Sequence, residues 1–163
     1  MTHPTFNTAT PEDIAAIAAD IRPSDAEELR IGCWGLPPLT ALANSVAISD
    51  HTVTARLDAT PVAIFGIRAH SLIDRTAIIW MIGTRTLDTT PRILARASRP
   101  CLRSLCDTLP WAETFHNAFP SSHTHVRQWL QWLGAWFSTP ILVPDPEHPG
   151  ITIPFTPFTI GRQ

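Results

Sequence analysis

The chain has 163 residues, 44% apolar and 16% charged, which suits one compact domain with a buried core. A net charge of −2 excludes a general attraction to nucleic acid or anionic lipid, so any polyanion contact must be local. No run approaches the ~20 apolar residues of a membrane span, and Met1 to Thr10 carries neither a basic nor an apolar segment, which reads as a soluble protein of the cytoplasm.

In chain order, Thr10-Pro11-Glu12-Asp13 is a helix start, with Thr10 as N-cap and Ile14, Ile17 and Ile21 on one face. Pro23 breaks that helix, and Ser24-Asp25-Ala26-Glu27 reads as a capping box opening a second one that ends near Gly32 and Gly35. A third piece runs from Pro38 to about Val46. Thr52 to Leu57, Val62 to Arg68 and Arg75 to Gly83 predict a three-stranded meander, with a turn at Asp58-Ala59-Thr60-Pro61.

A helix from Pro91 to about Asp107 follows, with Pro100 expected to kink or split it. Trp111 to Phe119 reads as a strand. Pro120-Ser121-Ser122 caps a last helix in which Val126, Trp129, Leu130 and Leu133 keep the i, i+3, i+4, i+7 spacing, and Gly134 ends it. The six prolines from Pro140 onward restrict the tail to short edge strands or extended cover. One domain is expected: a helical part over 10–47, a sheet-and-helix core over 52–139 and a Pro-rich cover over 140–163.

Cys33, Cys101 and Cys106 form no CxxC pair and no even set, so buried thiols are expected. All 12 basic residues are arginine, and tyrosine is absent. That absence removes one common acid and base from any mechanism. Arg92, Arg96, Arg99 and Arg103 fall on one helical face, read either as a solvated stripe or as an anion site. Trp132 and Trp136 lie off the apolar stripe, read either as cover or as a contact for a phage or host protein partner. His123 and His125, two apart, make no shared metal site.

The element order, with Asn117 and the segment Val126-Arg127-Gln128-Trp129-Leu130-Gln131-Trp132-Leu133-Gly134-Ala135-Trp136-Phe137, resembles the GNAT acyltransferase superfamily. The resemblance implies an α/β fold with a mixed, mainly antiparallel sheet flanked by helices, and acetyl-CoA held between Thr76–Gly83 and Trp111–Asn117. A narrower likeness is to GNAT-like proteins of tailed phages of the internal virion protein A type. It rests on Arg22-Pro23-Ser24-Asp25-Ala26-Glu27-Glu28, Val62-Ala63-Ile64-Phe65-Gly66, Trp80-Met81-Ile82-Gly83-Thr84, Trp129-Leu130, Leu133-Gly134 and Pro157-Phe158. It implies a phage or prophage protein, in the host cytoplasm or the virion, that transfers an acetyl group to an amine or serves as an inactive assembly or interaction protein.

Carried onto this chain, the cofactor-binding positions are Ile82, Gly83, Thr84, Arg85, Thr89, Thr90, Arg92 and Asn117. Asn117 is either a pantetheine contact, a clamp on the last helix or a plain strand-end residue. The turn Thr84-Arg85-Thr86-Leu87-Asp88-Thr89-Thr90 departs from the superfamily pattern in having no glycine, and Asp88 stands where a diphosphate is repelled. Glu113 and His116 are the first candidates for acid and base work, with Glu27, Glu28, Ser122 and His123 behind them.

Overall fold

A computed structural model describes residues 4–162. In chain order the elements are β1 (Thr5–Thr8), α1 (Pro11–Ala19), α2 (Pro23–Gly32), α3 (Pro38–Ile48), β2 (His51–Leu57), β3 (Thr60–Ser71) and β4 (Thr76–Gly83). Then come α4 (Thr86–Thr89), α5 (Pro91–Thr108), β5 (Thr114–Pro120), α6 (Thr124–Trp132), β6 (Trp136–Phe137), β7 (Ile141–Pro144) and β8 (Thr152–Gly161). All strands join one eight-stranded sheet in the order β1-β2-β3-β4-β5-β8-β6, with β7 also on β8. The β4–β5 pair is parallel and the others antiparallel, giving the mixed, mainly antiparallel sheet the sequence implies.

Helix starts follow proline. Thr10 caps α1, its hydroxyl accepting the Asp13 N–H at 3.2 Å while the Asp13 carboxylate accepts the Thr10 N–H at 3.0 Å. The expected box at Ser24 does not form: Pro23 already occupies the first helical position, Arg22 is the cap residue without a side-chain bond, and Ser24 Oγ turns to Asp25. Likewise α6 begins at Thr124 after His123, because Ser121 still belongs to the strand edge, its N–H on the Pro154 carbonyl and its hydroxyl 2.7 Å from that of Thr156. Through Pro100 the helix α5 runs unbroken. Arg96, whose carbonyl loses the proline's N–H, is exposed and can turn that carbonyl to water.

Each sheet face carries a core. Phe65, Ile67, Ala77, Ile79 and Phe115 pack beneath Leu94, Leu102 and Leu105 of α5, while Ile64 and Ile82 meet Ile17, Leu29 and Leu42 of α1–α3. Burial on both faces explains why β3 reads as a continuous apolar run rather than an alternation. At Gly66 the Trp80 indole lies where a Cβ would stand, with its N–H on Ser49 Oγ at 2.9 Å. Gly66→Ala is therefore expected to push Trp80 out and destabilise the fold by about 1–3 kcal/mol, read as a lower urea midpoint.

The tail corrects expectation. β8 is an interior strand, paired with β5 from Thr114↔Gly161 to Pro120↔Phe155 and with β6 and β7 on its other edge. Its prolines fit because their missing donors fall at interruptions. Pro157 turns its carbonyl to Ser138, between β6 and β7, and Pro154 turns its own to Ser121, just past β5. Strand β1, with Phe6 as its one large apolar residue, escaped the sequence pattern. Among the described residues no helix is long and apolar enough to cross a membrane.

Candidate active site

β4 and β5 pair through Thr76↔Thr114, Ala77↔Phe115 and Ile78↔His116, and then diverge. Met81, Phe119, Trp129 and Leu130 line the wedge between them. Asn117 bridges its apex: the side-chain amide donates to the Ile79 carbonyl at 2.8 Å, and its Oδ1 accepts the Ala118 N–H at 2.8 Å. The Ile79 carbonyl and the Gly83 N–H, which donates to Asp25, both face the edge that β5 has left. Strand alternation then directs the Met81 N–H and carbonyl into the opening between them.

Helix α2 lines the opening with Arg22, Asp25 and Glu28, three residues apart on its inner face. Asp25 is 2% exposed. Its carboxylate accepts the Gly83 N–H at 2.7 Å and lies 2.7 Å from Arg22 Nε. Burial raises its pKa, against the pull of Arg22 and Gly83. Burial first, and then the Asp25 charge, push Glu28 up to about 8.

Glu28, Trp80, Asn117 and Ala118 belong both to this wedge, a cavity of about 60 Å³, and to a second one of about 360 Å³ on the α2–α3 face. The two cavities therefore lie on either side of these four residues. Arg68, Ser45, Ser49 and Cys33 also line the larger one. His123, which precedes α6, reaches Glu27 of α2 at 3.4 Å. The His123 and His125 rings stack with centroids 5.8 Å apart, because His123 precedes α6 and escapes the helical angle assumed for the pair. Burial and nearby Arg22 hold His125 below its ordinary pKa.

The turn after β4 spends most of its donors within the protein. The Thr84 N–H binds the Val62 carbonyl, that of Arg85 binds Asp20, and those of Leu87, Asp88 and Thr90 bind Thr84, Arg85 and Thr86. The hydroxyls of Thr89 and Thr90 both donate to the Thr86 carbonyl, and that of Thr84 to Val62. Arg85 stands 3.7 Å from Asp20. Arg92 is exposed and holds no ion pair among the described residues, while Ile82 packs on the α1–α3 side. The unexpected short helix α4 is the reason: with no glycine in the turn, the chain closes hydrogen bonds on itself.

Glu113 and His116 are not brought together. Glu113 precedes β5 at the paired end of the strands, exposed and in an ion pair with Arg75. His116 stands opposite Ile78 with Nε2 3.2 Å from His70 Nδ1. Burial and that neighbour lower its pKa. Neither lines the two cavities. Trp132 and Trp136 are 45% and 53% exposed, the former under Arg99 at 4.2 Å. Glu28 had a sequence signal: α2 holds few apolar residues, so charges spaced by three had to face inward.

No family profile matches the chain, and no curated protein matches its sequence. Solved structures do. An N-acetyltransferase from Staphylococcus aureus Mu50 superposes with a TM-score of 0.72 at 8% identity, covering 99% of both chains. A GNAT-family acetyltransferase from Bacillus anthracis gives 0.72 at 9% identity, again over 99% of both. Spermidine N-acetyltransferase from Vibrio cholerae, solved with CoA and spermine, gives 0.69 at 10% identity over 98% of this chain and 96% of that one. The splayed parallel pair, the helices on both faces and these superpositions together make the fold that of the GNAT acetyltransferases.

Proposed function

We propose that the chain transfers an acetyl group from acetyl-CoA to an amine, with Glu28 as the general base. The observation that carries this reading is one opening with the Met81 edge on one side and a half-buried carboxyl of raised pKa, Glu28, on the other. The Vibrio cholerae neighbour, with its CoA and spermine, supports this donor and acceptor class.

The residues fit the thioester end of the donor: apolar walls, and a free strand edge at Met81 to bind an extended amide arm. They do not form a diphosphate cradle, since most of the N–H groups that would line it, those of Thr84, Arg85, Leu87, Asp88 and Thr90, are committed. That end is left to Arg92 and Arg85. When bound, acetyl-CoA supplies an activated acyl carbonyl. The Met81 N–H is placed to donate to a carbonyl oxygen, and Glu28 takes the proton the amine must lose as the C–N bond forms; the C–S bond breaks and the thiol leaves with a proton from solvent. Glu113 and His116 stand outside the cavity and are not assigned this role.

The test is release of free thiol from acetyl-CoA with a panel of primary amines. Acceptor-dependent release is expected; none with any amine at millimolar acetyl-CoA overturns the reading. The committed N–H groups favour a second one, an inactive GNAT-fold assembly or interaction protein. The likeness to the internal virion protein A type supports a phage source for it, with exposed Trp132 and Trp136 as the contact.

A further inference from the structure

We infer that the acceptor amine carries an anionic group, a carboxylate or a phosphate, and that Arg68 binds it. This rests on the acyl-transfer reading and names the substrate class of the same site. The basis is the distribution of charge around the larger cavity. Six arginines are in ion pairs: Arg22, Arg30, Arg56, Arg75, Arg85 and Arg162. Arg99 and Arg127 lie over Trp132 and Phe137, and Arg92, Arg96 and Arg103 stand on the outer face of α5. Arg68, an exposed residue, is the one arginine lining the larger cavity, and among the described residues its side chain has no ion pair or hydrogen bond.

The other polar groups of that cavity are spent. Ser45 Oγ donates to the Ala41 carbonyl, and Ser49 Oγ donates to the Ser45 carbonyl while accepting the Trp80 N–H. Burial raises the Cys33 pKa and keeps its thiol neutral. Asp50, at the neighbouring rim, directs Oδ2 to the Ala69 N–H at 2.6 Å and not to Arg68. The cavity therefore offers a proton acceptor at Glu28, an aromatic wall at Trp80 and an uncompensated cation at Arg68. A polycation meets repulsion there, whereas an amine with an anionic end satisfies both charged groups, a guanidinium binding either oxyanion through paired N–H donors.

The experiment compares kcat/KM with saturating acetyl-CoA for 4-aminobutyrate, O-phosphoethanolamine, n-butylamine and 1,4-diaminobutane, in the wild type and Arg68→Gln. The two anionic amines are expected to exceed butylamine by about tenfold, a charge-assisted contact at a partly wet site, and the diamine to be poorest. Preference between the first two identifies the anion. Arg68→Gln is expected to raise KM for both anionic amines to the butylamine level with kcat unchanged. A diamine used as well as 4-aminobutyrate, or an Arg68→Gln loss equal for all four, overturns the inference. Turnover of butylamine alone overturns it too and leaves acyl transfer standing. If no amine is turned over, acyl transfer fails, and quenching of Trp80 fluorescence by 4-aminobutyrate but not butylamine, lost in Trp80→Phe and in Arg68→Gln, decides the anion site by itself.

Discussion

Glu28→Gln is expected to lower acetyl transfer by about 10² to 10⁴, the usual contribution of a positioned base, while making the protein more stable. Both effects come from one cause. In the fold Glu28 holds its proton up to about pH 8, whereas the unfolded chain releases it near 4.3. Between those values the native state binds more protons than the unfolded one, so this residue's contribution to stability falls as pH rises from about 4.5 to 8, and then levels. Glutamine has no such titration, and a gain on the order of 1–3 kcal/mol at pH 8 follows. The active form is the ionised one, so wild-type kcat/KM climbs through an inflection near pH 8. Urea titrations at pH 5 and pH 8, with a pH–rate profile, read all three. A fall in activity with no stability gain points to a merely structural Glu28.

Asn117→Asp strikes the apex of the wedge. The native amide donates to the Ile79 carbonyl. A carboxylate there cannot donate, and sets two acceptors face to face in a half-buried site, costing about 2–4 kcal/mol. Because β4 and β5 separate where Asn117 joins them, the slot loses its fixed width, and acetyl-CoA binding is expected to weaken with stability. Asn117→Gln can reach the same carbonyl and should recover part of both. Equal stability of Asn117→Asp and wild type, measured by chemical denaturation, contradicts this role for the bridge.

Much of the architecture was legible because local rules and burial agree. Proline at the first helical position marks the starts of α1, α2, α3 and α5, and the apolar runs of β3 and β4 report two covered faces. β8 was not legible, since its prolines are tolerated only where β6–β7 and β5 happen to be interrupted, which is a property of the assembled sheet. The site was partly legible. Asn117 was found through the resemblance, and the glycine-free turn was seen to be unusual, but its replacement by α4, with most N–H groups bonded within the protein, follows from three-dimensional closure. Glu113 and His116 share a strand region with Asn117 in sequence, yet strand divergence begins past them, and Glu28 enters from a helix about ninety residues earlier.

The central claim is that the β4–β5 opening receives a thioester donor beside Glu28. Thermal unfolding of the wild type with acetyl-CoA, and separately with S-acetylpantetheine, tests it most directly. At a hundredfold excess over the dissociation constant the donor stabilises by about 2.7 kcal/mol, roughly 5–10 °C for a chain of this size. Both compounds are expected to raise the midpoint, by similar amounts at matched saturation, with the smaller one weaker only by the contacts of Arg92 and Arg85 to the diphosphate. An unchanged midpoint with both compounds, up to several millimolar, contradicts the account.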